Sequence, residues 1–241
     1  MNFLKYKKVI LKLSGEALED NSSRMILSGK KLISIANLIK DLVNDGVNVS
    51  VVTGAGNIFR GRIADEAGIN PIDGDYMGML GTVINCKALS SVLTKIGVKN
   101  VLFTALEVED VGIKFDALKA NKLSEEGYVC LFAEGLGRPQ ITTDTTAAKR
   151  AIEIKAEAIL AGKNGIDGVY DKDPNKFKDA KFIKDLTYKD AIDQNLKVMD
   201  ITAMELLKNT NIETRVFSME DLSNFKKVIC GDTLGTTIKG E

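Results

Sequence analysis

Two cationic side chains in this chain stand beside turns built from small residues. Lys12 runs directly into Leu13-Ser14-Gly15, and Arg60 follows Thr53-Gly54-Ala55-Gly56 by four residues. Small residues let backbone N–H groups approach an anion, and an arginine adds a planar, two-pronged contact. A second loop of this kind, Glu134 to Asp144, carries Gly135, Gly137, Thr142 and Thr143 ahead of a predicted helix. A third, polar loop spans 162–174. Its Tyr170 can stack on a base, and its Asn164 and Asp173 can bond a purine or a ribose. Taken singly, each feature has a plainer reading as well. The glycine turns can be ordinary turns, Lys12 an outward strand position, Asp144 and Asp200 helix caps, and 162–174 a surface hairpin.

Several chemistries are excluded. The 54–59 loop is not a G-x-G-x-x-G loop, because Phe59 stands at the third glycine position, and no G-x-x-x-x-G-K-[ST] occurs. The chain has no histidine, which removes histidine bases, histidine metal ligands and histidine triads together. A metal would be held by oxygen, which points to Mg²⁺ or a similar hard cation. Formal net charge is zero, which argues against general nucleic-acid binding, where a basic surface supplies most of the affinity. Cys86, Cys130 and Cys230 are odd in number and widely spaced, which fits reduced core thiols and a cytoplasmic setting. The start, MNFLKYKKVI, has no apolar core of a signal peptide, and no apolar run is long enough to span a membrane.

The elements that must position these residues follow from periodicity. Residues 8–13 (KVILKL) predict a strand. Residues 28–44 place Leu32, Ile35, Ala36, Ile39, Leu42 and Val43 on one helical face, with Ser28 as N-cap and Gly46 as stop. Residues 47–53 predict a second, buried strand. Strand–helix–strand implies a parallel pair, so the loops after Lys12 and after Thr53 leave the same sheet edge. Lys12 and Arg60 are therefore expected to face one ligand.

Further on, 74–97 predict a long helix with Asp75 in its first turn or capping it. Met77, Leu80, Ile84, Ala88 and Val92 form a stripe suited to core or subunit contact. Strands are expected at 99–104 and 128–133 with a helix near 116–126 between them. A helix from Thr145 to Ile154 is expected behind an Asp144 cap. Then come a strand at 157–161, a short helix Thr187–Gln194 with Thr187 and Asp190 at capping-box spacing, and an amphipathic helix up to 208 behind Asp200. Strand material is expected at 212–217 and 228–238. Pro71, Pro139 and Pro174 are placed in loops. Length and composition (241 residues, 44% hydrophobic, 27% charged) fit one globular α/β domain with lobes of about 1–155 and about 156–241.

Six fragments now carry a resemblance. They are Lys12-Leu13-Ser14-Gly15-Glu16-Ala17-Leu18, Gly54-Ala55-Gly56-Asn57-Ile58-Phe59-Arg60-Gly61, Gly74-Asp75-Tyr76-Met77-Gly78-Met79-Leu80, Thr142-Thr143-Asp144-Thr145-Thr146-Ala147-Ala148, Asp167-Gly168-Val169-Tyr170 and Lys197-Val198-Met199-Asp200. Together and in order they resemble the bacterial uridylate kinases of the amino-acid kinase fold, over nearly the whole chain. The resemblance implies a three-layer α/β sandwich on a mostly parallel sheet. It implies ATP + UMP → ADP + UDP with Mg²⁺ bound mainly through ATP phosphates, in pyrimidine nucleotide synthesis. It also implies UTP as a feedback inhibitor and a homo-oligomer, a hexamer, with the helix at 75–95 as the candidate contact.

By the same resemblance, Lys12, Leu13, Ser14, Gly15, Gly56 and Arg60 meet ATP phosphates, and Asn164, Tyr170 and Asp173 meet the adenosine. Ala55, Asp75 and the run Leu136, Gly137, Arg138, Pro139, Gln140, Ile141, Thr142 and Thr143 meet UMP. Lys12, Arg60, Asp144 and Asp200 form the catalytic set. Two departures stand out. Ala55 replaces a usual glycine, and Ser90 to Asn100 lacks the basic and histidine residues of GTP-activated members. The alternatives are a kinase of this fold acting on a carboxylate, a carbamate or a small phosphate, and a non-catalytic nucleotide sensor.

Overall fold

The structure, a computed structural model, describes residues 3–20 and 25–241. Met1 and Asn2, at the head of the segment read above for a signal peptide, lie outside the described residues.

A nine-stranded sheet forms the middle layer. From the first part of the chain it takes β1 (Lys8–Leu13), β2 (Asn48–Thr53), β3 (Asn100–Thr104), β4 (Ile113–Lys114) and β5 (Val129–Ala133). From the rest it takes β6 (Ala158–Lys163), β9 (Asp185–Thr187), β10 (Glu213–Ser218) and β11 (Thr236–Lys239), while β7 (Val169–Tyr170) and β8 (Phe182–Ile183) make a separate two-stranded ribbon. The order β4-β3-β5-β2-β1-β6-β10-β11-β9 is parallel throughout except at β10–β11. The β1–β6 pairing joins the two groups of strands into one sheet. This is the α/β architecture expected.

Strand alternation decides what each face sees. On β1, Val9, Leu11 and Leu13 pack with helices α1 (Gly29–Asn44), α3 (Pro71–Lys95) and α8 (Ser223–Ile229). Ile10 points the other way, toward α4 (Ala117–Glu125), α5 (Thr143–Glu153), α6 (Tyr188–Asp193) and α7 (Ile201–Leu207). Lys12, two residues beyond Ile10, keeps that second face at the strand's carboxyl end. A short α2 (Gly61–Ala67) follows the glycine loop.

Several boundaries differ from expectation. Thr142, not Asp144, caps α5: its hydroxyl accepts from the Thr145 N–H at 3.0 Å. Asp144 sits in the first turn, free to use its carboxylate elsewhere. Helix α3 starts earlier, with Asn70 as cap and Pro71 in the first turn, where a missing N–H leaves nothing unpaired. Pro71 is thus helical, and Asp75 neither caps α3 nor sits in its first turn. The stretch 228–238 is no single strand. Helix α8 runs to Ile229, and Gly231 and Gly235, at φ of 95° and 72°, turn the chain before β11. The Met77–Leu80–Ile84 part of the α3 stripe is exposed, and only Ala88 and Val92 pack partly on the core.

The buried face of α3 is instead Gly74, Gly81, Val83, Asn85, Cys86, Leu89 and Leu93. Alanine normally stabilises a helix interior over glycine by about 1 kcal/mol. At Gly81 the added methyl would stand 2.8 Å from the Ala55 methyl. We expect Gly81→Ala to lower stability by about 1–3 kcal/mol, and Gly81→Ala with Ala55→Gly to recover most of it, as read from urea midpoints. A stabilised single variant would contradict this packing.

Candidate active site

The site grows from the carboxyl edge of β1 and β2, where Leu13 pairs with Thr53. The Gly54 N–H donates to the Leu13 carbonyl at 2.9 Å and ties the two loops together. After β1 the chain enters a turn of 3₁₀ helix over Gly15–Ala17. A Cβ on Gly15 would collide with Asn57 Oδ1 and stand 2.7 Å from the Gly56 nitrogen, so only glycine allows this approach.

Lys12 forms an ion pair with Asp144, their side chains only 13% and 19% exposed. The β1 alternation and the Thr142 cap together produce this pair, because they turn both charges toward the space between β1 and α5. Lys163, at the end of β6, joins them. Burial lowers its pKa, the neighbouring Lys12 charge lowers it further, and Asp144 works in the opposite direction. Sequence reasoning missed Lys163. Its signal was the β6 register, in which Ala161 pairs with Lys12 and Lys163 lies two residues on, on the same face.

Asp200 is both the α7 cap and a bridge. It accepts from the Ala203 N–H at 2.9 Å, from the Thr145 hydroxyl at 2.9 Å and from the Thr142 hydroxyl. Burial opposes its charge, yet these hydrogen bonds outweigh burial and hold its pKa below the ordinary value. It thereby links α7 to the start of α5. Arg60 leans outward: Nε donates to the Gly56 carbonyl at 2.9 Å and the guanidinium pairs with Glu16 at 2.7 Å. The structure puts the Lys12 and Arg60 loops at one edge, with Lys12 paired to Asp144 and Arg60 to Glu16.

A cleft of about 430 Å³ opens between the glycine loop, α3 and the loop after β5, inside the roughly 300–1,000 Å³ range of small-molecule sites. Ala55, Gly56, Asp75, Arg138, Gln140, Ile141, Thr142 and Thr143 line it, as do Phe59, Thr82 and Thr146, which were not foreseen. Leu136, Gly137 and Pro139 belong to the same loop without lining the cleft. Asn164, Tyr170 and Asp173 stand outside it. Tyr170 donates to Asp167 and meets Phe182 edge-on, and Asp173 accepts from the Asn175 N–H.

The loop after β5 is held under strain. Glu134, Gly135, Gly137 and Gln140 all have φ between 58° and 76°, a region costly for the two that carry side chains. Four contacts fix it. Asp75 accepts from the Gln140 N–H at 2.8 Å, and the Glu134 N–H donates to the Thr82 hydroxyl at 2.8 Å. The buried Arg150 guanidinium lies 3.5 Å over the Phe115 ring, pairs with Glu153 and donates to the Gly135 carbonyl at 3.0 Å. The Glu134 carboxylate accepts from the Leu106 N–H at 2.9 Å. Among the described residues no three histidine, cysteine or carboxylate side chains converge as a metal site, and no helix is long and apolar enough to cross a membrane.

The amino acid kinase family profile matches residues 7–218. The chain belongs to the amino acid kinase family. It is similar to the uridylate kinase of Mycoplasma capricolum, 44% identical over 95% of this chain and 96% of that protein. It is similar to the uridylate kinase of Pediococcus pentosaceus, 42% identical over the whole of both chains. The crystal structure of the UMP kinase of Bacillus anthracis superposes with a TM-score of 0.94 at 38% identity, covering 98% of this chain and 97% of that one.

Within this amino acid kinase chain, Glu134 gives a pH test. Burial raises its pKa above the ordinary 4.5, and the Leu106 N–H only partly offsets that. A raised acid pKa means that folding favours the protonated form. That contribution is complete below about pH 4.5 and is lost as pH rises through the folded value. Gln keeps the acceptor and removes the charge. We expect the stability of Glu134→Gln relative to the parent chain to increase between about pH 4 and pH 7, measured by urea unfolding. A difference that does not change with pH would contradict the assignment.

Proposed function

We propose that this chain is a uridylate kinase that passes the γ-phosphoryl group of ATP to UMP, giving UDP, in pyrimidine nucleotide synthesis in the cytoplasm. The observation that carries the reading is the Lys12–Asp144 pair, set at a strand edge between two small-residue loops and beside a nucleotide-sized cleft. The names and full-length similarity of the relatives point the same way.

The chemistry asks little of a base. The second pKa of a phosphate monoester is about 6, so UMP reaches the site largely ionised and its oxygen can attack directly. Phosphoryl transfer then needs alignment and charge neutralisation. In our reading Lys12, held by Asp144, neutralises the transferring phosphoryl, with Lys163 as a second cation on the same face. The loop of Leu136, Gly137, Arg138, Pro139, Gln140, Ile141, Thr142 and Thr143 receives UMP together with Ala55 and Asp75. Leu13, Ser14, Gly15, Gly56 and Arg60 receive the ATP phosphates, and Asn164, Tyr170 and Asp173 the adenosine. Mg²⁺ would be held mainly through ATP oxygens and would screen their charge, with Asp144 and Asp200 as the carboxylates of that region. UTP, which carries the substrate's own base and sugar, is a natural inhibitor of the UMP cleft. In the segment where GTP-activated members carry basic residues, Ser90, Thr94 and Asn100 bond one another, which supports a weak GTP response.

Steady-state turnover with ATP and Mg²⁺ against UMP, CMP, dUMP and AMP tests the reading. We expect turnover confined to UMP, changed little by GTP and depressed by UTP. Lys12→Ala should lower kcat about 10²-fold or more, with smaller changes in KM. Turnover near the parent level in that variant would remove Lys12 from the mechanism.

We also propose a homo-oligomer, a hexamer, with α3 in its contact. Ile72, Tyr76, Leu80 and Ile84 recur every fourth residue and are 51%, 40%, 54% and 47% exposed, an apolar stripe that water does not favour. Leu80→Asp should shift the mass measured by light scattering toward smaller species. An unchanged mass would exclude the stripe from the contact.

A further inference from the structure

Asn57 and Asn85 form a buried pair that none of the chemistry above uses. Asn85 is fully buried in α3, and Asn57 is 8% exposed in the glycine loop. Each carboxamide donates to the other's oxygen, at 2.9 and 3.0 Å. Asn85 Nδ2 also donates to the Gly54 carbonyl at 2.8 Å, and Asn57 Nδ2 also donates to the Ile26 carbonyl at 2.7 Å. All four amide hydrogens thus have acceptors, and both side chains have one orientation only. Turning either amide over would set oxygen against a backbone carbonyl and leave buried groups unpaired.

This arrangement has a consequence for the loop. A trans peptide plane directs C=O and the following N–H to opposite sides. Asn85 draws the Gly54 carbonyl toward α3, so the Ala55 N–H is turned away from the helix. Among the described residues no acceptor is bonded to the Ala55 or the Gly56 N–H. Two unpaired donors therefore stand side by side in the loop that borders the cleft. Asn57 Oδ1 meanwhile closes on the Cα side of Gly15 and fixes the spacing between the two small-residue loops.

We propose that Asn85, acting through Asn57 and the Gly54 peptide, is a positioning residue for phosphoryl transfer. It aims the Ala55 and Gly56 N–H groups at the phosphate oxygens. Asn85 touches no substrate itself. The proposal deepens the kinase reading and rests on it. An aim that matters most while charge moves between two phosphates is felt in kcat before it is felt in either KM.

The test compares Asn85→Ala, Asn57→Ala and the double variant with Leu93→Ala, a core truncation in the same helix away from the loop. Melting temperature, kcat and both KM values are measured. So is hydrogen exchange at Ile58 and Phe59, whose N–H groups donate to the Ala55 carbonyl at 2.9 Å. We expect kcat to fall about tenfold or more in each asparagine variant, with both KM values within about threefold. The double variant should be no worse than the single ones, because they remove one shared network. Ile58 and Phe59 should lose protection while Val51 in β2 keeps it. Leu93→Ala should lose comparable stability and keep its kcat. A kcat loss no larger than that of Leu93→Ala, or unchanged protection at Ile58 and Phe59, overturns the proposal. Should the parent chain turn over no nucleoside monophosphate, the kinase reading fails, and the exchange data still decide whether Asn85 sets the loop.

Discussion

The Lys12–Asp144 pair is the interaction around which the other parts are arranged. Each partner is more than four-fifths shielded on its side chain, and taking two charges out of water that far is unfavourable unless they meet. Such a pair is a poor way to hold a fold together, since well-packed apolar residues would do as well or better. Its value is positional. Strand alternation alone would place Lys12 on the α5 face, but the Thr142 cap is what leaves Asp144 available to meet it. Asp200 then holds that cap, because Thr142 and Thr145 both donate to it. The lysine is therefore oriented by a chain of contacts that runs from β1 through α5 to α7 and crosses between the strand groups on either side of the β1–β6 pairing.

Around this pair the loops are crowded and strained in ways that a stable surface turn would not need. Gly15 has no room for a side chain, and Glu134 and Gln140 occupy a backbone region that glycine would fill more cheaply. Packing over-determines these conformations. Arg150 holds the Gly135 carbonyl from beneath, Asp75 holds the Gln140 N–H from α3, and Thr82 holds the Glu134 N–H. Strain retained under this many restraints is expected where a loop must present backbone groups to a ligand.

Much of this architecture is legible in the amino-acid sequence. The alternation in KVILKL and the helical spacing of 28–44 lead to a parallel pair with both loops on one edge, and that geometry holds. The family, the fold class and the enzyme type also follow from the ordered fragments. What sequence reasoning misplaces are local competitions. Thr142 and Asp144 are both good caps two residues apart, and periodicity does not say which one wins. Pro71 reads equally as a loop or as a first helical turn. Gly231 and Gly235 break the 228–238 stretch, but nothing in the local pattern requires both to have positive φ. Lys163 escapes notice because its neighbours in space, Lys12 and Asp144, are remote in sequence. Arg150 and Glu134 carry no local sign of burial, and only tertiary packing encloses them.

Helix α3 shows why amphipathic patterning fails there in particular. Apolar residues lie on more than one side of it, and the Met77–Leu80–Ile84 stripe that the spacing picks out is the exposed side, not the buried one. The two sides nonetheless have different work. Beside the core residues Val83, Cys86, Leu89 and Leu93, the inner side carries small and polar groups: Gly74 and Gly81, where an added methyl would crowd Ala64 and Ala55, and Asn85, which holds the Gly54 carbonyl. The outer side carries Ile72, Tyr76, Leu80 and Ile84 into solvent. Glycines weaken a helix by about 1 kcal/mol each relative to alanine. At 74 and 81 they are used where close approach to the glycine loop demands them, so α3 gives up helical stability for contact with the loop. A rod of 25 residues cannot shift one face without the other. Anything that covers the outer stripe must therefore act on the same helix that sets the backbone of Gly54 to Gly56.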